Sequence, residues 1–233
     1  MNKIGWIIFS VVVVLILGGL VAWTRIANPP IDVSNVDNNS VIAASEQNGN
    51  IADHTEGSTS NKILFIEYGD YQCPSCYKAY PNVNEIMEEY GEDVTLVFRN
   101  FPLTSMHPNA RAAAAVAEAA GLQGKFWEMH NMLYEKQTDW SNLDATKRTD
   151  MFNSYAKELG LNMDQFNADV AAKPVNQKIN FDLALGKSVG TNATPTFFLN
   201  GEKLNDELSG GIVNGNLTDF KAKLDELIKN SAN

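Results

Sequence analysis

Cys73 and Cys76 are the only cysteines in the 233-residue chain, and they stand three positions apart as Cys73-Pro74-Ser75-Cys76. A disulfide closing so short a loop removes little entropy from the unfolded chain, so a structural staple explains the pair poorly. Thiol–disulfide exchange explains it better: that chemistry needs an exposed thiolate in line with another sulfur, and a second thiol close enough to resolve the mixed disulfide. Half of a zinc site is the competing reading. Its remaining ligands would have to come from three histidines or from carboxylates, because there is no second cysteine pair. Neither a metal nor a cofactor is expected.

Exchange chemistry requires the motif to sit at a helix start, and the flanking sequence provides one. Ile63-Leu64-Phe65-Ile66 is a short apolar run of the kind found in a buried strand. A helix is expected from Pro74 to about Tyr90, ended by Gly91 and kinked at Pro81, with Tyr77, Tyr80, Val83, Met87 and Tyr90 on one face. Cys73 then falls at the N-cap and Pro74 at the first helical position, where its missing N–H costs nothing. Unpaired N–H groups and the helix dipole favour charge on the Cys73 sulfur, lowering its pKa below the free value of about 8.5. Cys76, one turn further in, is the expected resolving thiol.

Val94-Thr95-Leu96-Val97-Phe98 reads as a second strand, which gives a βαβ start with parallel pairing. Helical patterns fill about 104–190: an Ala-rich helix after Pro108, then helices through Phe126–Tyr134 and Met151–Leu159, and two more around Phe166 and Phe181. Thr196-Phe197-Phe198-Leu199, the turn pair Asn200-Gly201 and Glu202-Lys203-Leu204 predict a hairpin. An amphipathic helix from about Asn216 closes the chain.

Ahead of this domain, Ile4 to Trp23 is a run of 20 uncharged residues, long enough to cross ~30 Å of hydrocarbon as a helix, with Trp6 and Trp23 placed as interfacial aromatics. It is a membrane anchor or a signal peptide. The run length favours an uncleaved anchor, because a cleaved signal has a shorter apolar core and a small-residue cut site. Lys3 and the amino terminus against Arg25 favour the N-terminus inside and the rest outside the cytoplasm, where protein disulfides persist; a cytoplasmic domain on an inverted anchor is the alternative. The expected organisation is an anchor or signal over 1–26, a flexible Asn/Ser/Asp/Gly-rich linker over 27–61, and a folded domain over 62–233. His54, in the linker, is not expected to act as a ligand. The net charge of −10, from 28 acidic and 18 basic residues, makes nucleic acid an unsuitable partner.

A strand ending in Glu67-Tyr68-Gly69-Asp70-Tyr71-Gln72, the Cys73–Cys76 motif, a helical insertion and then Thr194-Pro195-Thr196 closely resemble the DsbA-like thiol–disulfide oxidoreductases. Phe98-Arg99-Asn100-Phe101-Pro102-Leu103 and Gly124-Lys125-Phe126-Trp127-Glu128-Met129-His130 agree with it. The resemblance runs from about Lys62 to Lys229. It implies an α/β thioredoxin fold, βαβ followed by ββα, with an inserted all-helical subdomain behind an N-terminal transmembrane helix. It further implies that Pro195 is a cis-proline beside the disulfide, with Thr194 binding an extended substrate; a strand-initiating proline is the alternative. Glu67 matches a buried acid beneath the disulfide that accepts the Cys76 proton, its pKa raised by burial; a solvated strand-end residue is the alternative.

Pro74, Ser75 and Glu67 are the expected tuners of the thiolate. Ser75 departs from the histidine of the strongest oxidants in the family. The Cys73 pKa is still expected below 7, but with a couple less oxidising than in those relatives. His107 and His130 are expected to be structural. Disulfide formation in cysteine-containing exported proteins, with reoxidation by a membrane quinone-linked thiol oxidase and lipid contact through residues 4–23, is the function the resemblance implies. A disulfide reductase or isomerase would use the same residues in reverse, and a non-catalytic tethered peptide-binding module would not need them.

Overall fold

The computed structural model describes residues 3–27, 31–58 and 60–231, in two units, 1–32 and 33–233. The first unit holds helix α1, Lys3–Ala27, 25 residues long, which at 1.5 Å per residue spans about 37 Å. Ile4, Trp6, Leu15, Leu20 and Trp23 are exposed on it. The anchor expected over 4–23 falls here, but side chains at 8, 21 and 22 lie outside the described residues, and among the described residues no helix is long and apolar enough to cross a membrane.

In the second unit a five-stranded sheet has the order β1-β3-β2-β4-β5. Its strands are β1 (His54–Glu56), β2 (Ile63–Gly69), β3 (Val94–Asn100), β4 (Thr196–Leu199) and β5 (Glu202–Lys203). Only β2 and β3 run parallel, and helix α2 (Pro74–Tyr90) makes the crossover between them. Asn200 and Gly201 have φ of 49° and 81°, the left-handed pair that a two-residue hairpin turn needs. Pro81 lies inside α2. The buried face of α2 is Cys76, Ala79, Val83, Ile86, Met87 and Tyr90, one position out of phase with the expected stripe at its start. Tyr77 is consequently 39% exposed.

The insertion is α3 (Ala110–Gly121), α4 (Phe126–Glu135), α5 (Gln137–Trp140), α6 (Ala145–Glu158), α7 (Met163–Val170) and α8 (Lys173–Ser188). Ala113, Ala114, Ala117, Ala119 and Ala120 of α3 are buried, and such small side chains let neighbouring helices approach closely. Helix α6 is capped by Asp144, which accepts from the N–H groups of Thr146 and Lys147. Helices α9 (Asp206–Asn214) and α10 (Thr218–Ser231) pack with α2 over Phe65, Phe197, Phe220 and Leu224.

The linker expected over 27–61 is corrected by the structure: folding begins at Val33 rather than Lys62. Ser45–Asn48 form a capped 3-10 turn, and Asn48 is fully buried. The Arg99 guanidinium donates to Asp53 Oδ2 at 2.7 Å and to the carbonyls of Asn38 (3.1 Å) and Ser40 (2.8 Å). Lys178 Nζ bridges Asp53 (3.1 Å) and Asp182 (2.7 Å). His54 Nε2 lies 2.8 Å from Glu118, and Trp127 donates to the Thr55 carbonyl at 2.8 Å. The polar residues that read as solvated are the ones that satisfy a buried charge cluster, so the segment is a strap on the domain.

Candidate redox site

Strand β2 ends at Gly69, and a tight loop delivers Cys73 to the start of α2. The Asp70 carboxylate holds that loop: it accepts from the N–H groups of Gln72 and Leu103 at 2.8 Å each and lies 2.8 Å from His107 Nδ1. Gln137, from the insertion, donates to the carbonyls of Tyr71 (2.8 Å) and Cys73 (3.1 Å). Gln72 in turn donates to the Ser141 carbonyl at 2.7 Å. The helical insertion thus clamps the loop that carries the motif.

Cys73 is the N-cap of α2, extended at φ −71° and ψ 125°, with Pro74 behind it in the first turn. The two thiols differ sharply. Cys73 is 6% exposed and Cys76 fully buried. A hydrogen bond from the Cys76 thiol pulls the Cys73 pKa down to about 5 against the cost of burial, helped by Thr194 and by the N–H groups of Cys76 and Ser75. Burial, and then the hydrogen bond to Cys73 and its charge, push Cys76 well above its ordinary value.

The chain returns to this site at Thr194, whose carbonyl accepts from Cys73 Sγ at 3.3 Å. The Thr194–Pro195 bond is cis. Thr194 Oγ1 is buried without a hydrogen-bond partner among the described residues, which leaves it available to a thiolate. Glu67 sits mid-sheet, paired in register with Phe98 and Phe197. It is 3% exposed, and burial, with the Cys73 charge, raises its pKa to about 8. The structure therefore brings together Glu67, Cys73, Pro74, Ser75, Cys76, Thr194 and Pro195.

His130 lies in a cage of aromatic rings that includes Phe98, Phe126, Trp127 and Tyr134. Burial lowers its pKa to about 3, so it is neutral, and its Nδ1 is hydrogen-bonded to the Tyr71 hydroxyl at 3.1 Å. Asp70, Gln137, Tyr71 and Tyr134 are site residues that sequence reasoning missed. Asp70, three residues before Cys73, was the one with a positional signal. Among the described residues no cluster of His, Cys, Asp or Glu is placed to hold a metal. A pocket of about 530 Å³ opens beside Pro74, lined in part by Gln72, Met106, His107, Asn109 and Leu143.

A family model described as thioredoxin matches residues 49–213. Among curated proteins, the Na(+)/H(+) antiporter NhaA 1 of Mycolicibacterium vanbaalenii is 39% identical over 153 residues, covering 64% of this chain and 23% of that protein. The chain spans less than a quarter of that relative's length, and the transport in its name is a property of that protein. Among solved structures, alpha-DsbA1 of Wolbachia pipientis superposes with a TM-score of 0.64 at 24% identity, covering 77% of this chain and 92% of that one. MdbA, a thiol-disulfide oxidoreductase from Corynebacterium diphtheriae, gives 0.58 at 18% identity, over 78% and 97%. At these identities the likeness is one of fold. The family match takes in well over half of the sequence, so the chain belongs to the thioredoxin family and has the fold of the DsbA-like thiol–disulfide oxidoreductases.

Proposed function

We propose that the protein forms disulfides in cysteine-containing exported proteins, through exchange at Cys73 and Cys76. The observation that carries this is the inequality of the two thiols: Cys73 is lowered to about 5 at a helix start, while Cys76 is buried and raised. A stabilised Cys73 thiolate is a good leaving group and makes the oxidised pair the less stable form, so electrons flow from substrate to enzyme.

A substrate thiolate attacks Cys73 Sγ, the Cys73–Cys76 bond breaks, and its electron pair goes to Cys76 Sγ. Glu67, whose buried carboxyl favours the protonated form, gives its proton to that sulfur. A second substrate thiolate then attacks the substrate sulfur of the mixed disulfide, and Cys73 leaves as a thiolate. The substrate is oxidised to a disulfide and the enzyme reduced to a dithiol. The pocket beside Pro74 gives an extended substrate a surface to lie on, and Thr194 offers it backbone groups next to the sulfur.

Disulfide formation needs an extracytoplasmic location. Residues 4–23 supply the membrane anchor in this reading, supported by the uncharged run in the sequence. A membrane quinone-linked thiol oxidase returns the dithiol to the disulfide. Trapping the in-cell redox state with an alkylating agent tests the direction: a mostly oxidised Cys73–Cys76 pair is expected, and a mostly reduced pair would make the protein a reductase or isomerase.

A further inference from the structure

The wall of the pocket beside Pro74 is built by side-chain amides that hold one another and the motif. Gln72 accepts the Asn109 N–H at 2.6 Å and donates to the Ser141 carbonyl at 2.7 Å. Asn109 donates to the carbonyls of Ser141 (3.1 Å) and Leu143 (2.9 Å) and accepts from Arg148 at 2.7 Å. Gln137 donates to the Cys73 carbonyl at 3.1 Å. Three residues lining this pocket are therefore bonded to Cys73 itself: Gln72 and Pro74 through the chain, and Gln137 through that hydrogen bond. At about 530 Å³ the pocket has room for a large side chain, and its wall is already fixed.

Two groups here remain open to a partner. Met106 is 65% exposed. Among the described residues, the large apolar side chains exposed on the second unit are Tyr77, Met106 and Leu122. Tyr77 directly follows Cys76, and Met106 shares the pocket with Pro74, so exposed apolar surface gathers at the motif, as it does where a partner docks. The second group is His107. Its Nδ1 lies 2.8 Å from Asp70 Oδ2, and the Asp70 side chain is fully buried while that of His107 is 18% exposed. His107 Nε2 has no hydrogen-bond partner among the described residues and is not buried. A neutral ring bonded through Nδ1–H presents Nε2 as an acceptor, and a protonated ring presents it as a donor.

We propose that this pocket is a side-chain subsite for the substrate and that it takes a tyrosine from within two residues of the substrate cysteine, its ring on Pro74, Met106 and Leu143 and its hydroxyl hydrogen-bonded to His107 Nε2. The proposal rests on the exchange reading and names the class of substrate: segments with tyrosine close to the reactive cysteine. An extended chain advances about 3.3 Å per residue, so a residue one or two places from a sulfur bonded to Cys73 comes over Pro74. The Met106 thioether packs favourably on an aromatic ring. A phenol hydroxyl both donates and accepts, so it pairs with His107 in either state of the ring, whereas a carboxylate only accepts and an ammonium group only donates. Phenylalanine would cover Nε2 without pairing it.

The test is the oxidation of synthetic dithiol peptides by the disulfide form of the full-length protein, with Ala, Leu, Phe, Tyr or Lys placed in turn at each of the two positions on either side of the attacking cysteine. At one of these positions kcat/KM for Tyr exceeds that for Ala about tenfold and that for Phe about fourfold, the scale of a partly buried ring and one hydrogen bond. Met106→Ser, at a position 65% exposed, leaves the core untouched and cuts the Tyr-over-Ala ratio to about a third. His107→Phe brings the Tyr-over-Phe ratio to about one, and His107→Gln, whose amide also donates and accepts, keeps it. Ratios between peptides on one variant cancel any change in the reactivity of Cys73, so a purely structural role of His107 beside Asp70 does not move them. Equal rates for Tyr and Phe at every position, or a preference that survives in either Met106→Ser or His107→Phe, would overturn the proposal and leave the exchange reading standing. If neither the peptides nor dithiothreitol reduced the disulfide of the native protein, the exchange reading would be the one to fail.

Discussion

Cys73 Sγ lies 3.3 Å from the carbonyl oxygen of Thr194, 121 positions further along the chain. The antiparallel pairing of β4 with β2, Thr196 opposite Tyr68, creates this contact, and the helices between them leave and rejoin the sheet at the same end. The partner of the reactive sulfur is thus set by sheet register, and only its outlook on solvent by the motif.

The thiolate of Cys73 is expected to titrate near 5, read from ultraviolet thiolate absorbance against pH. Cys76→Ala deletes the hydrogen bond that contributes most and moves the midpoint up by more than about one unit; Thr194→Val gives a smaller rise. A native midpoint near the free value of about 8.5 would contradict this.

Glu67 gives a pH dependence of fixed sign. Its pKa in the folded dithiol form, about 8, lies above the unfolded value of about 4.3. The folded state therefore holds a proton that the unfolded state has lost, so the group's contribution is full below about pH 4 and declines as pH rises to about 8. Glu67→Gln removes that decline, stabilising the reduced protein at pH 8 by up to about 5 kcal/mol relative to native, on the scale of ~1.4 kcal/mol per unit. Urea unfolding at pH 5 and pH 8 measures it; parallel pH profiles for the two proteins would contradict it.

Much of this was legible from local patterns. Pro74 and Gly91 mark the ends of α2, and Asn200-Gly201 marks the hairpin, because caps and turns are chemistry between near neighbours. The strap over 33–58 was not legible. Asp53, Arg99, Lys178 and Asp182 look like solvated charges until the fold brings together positions 46 and 125 residues apart. Helix α9 was missed because Gly210-Gly211 in its middle lowers helix propensity. Tyr134 gave no signal, since an aromatic at helical spacing reads as core, and its ring is core; only the fold shows the hydroxyl unpaired.

The strap is expected to be a substantial part of the domain's stability. Burial pushes Asp53 up, but Lys178 and Arg99 outweigh it and hold the carboxyl at about 2. This contribution is therefore present above the unfolded value of about 3.9 and is lost as pH falls through about 2. Asp53→Asn leaves the buried Arg99 without its carboxylate and Lys178 with Asp182 alone, and costs about 3–5 kcal/mol in urea unfolding, with protease cleavage appearing in 33–52 and the Cys73 midpoint unchanged. A loss under about 1 kcal/mol would show that the strap is only laid on the surface.

At Gly69 a Cβ would collide with the Phe98 ring. Gly69→Ala is expected to destabilise the domain by about 1–3 kcal/mol in thermal or urea unfolding, and a neutral result would mean the Phe98 ring moves freely aside.

Ser75→His places a cationic group beside the Cys73 sulfur and is expected to raise the reduction potential by about 30 mV or more, on the scale of ~30 mV per 1.4 kcal/mol. An unchanged potential would mean the dipeptide does not reach the sulfur.

The central claim is that this pair is an oxidant, and its reduction potential tests that most directly. Equilibrating the full-length protein with glutathione mixtures and counting free thiols gives the value. With Cys73 at about 5, between thioredoxin (about 7) and DsbA (about 3.5), the account predicts a potential of roughly −180 mV, between their values of about −270 and −120 mV. A potential at or below about −270 mV would place the protein among the reductants and contradict it.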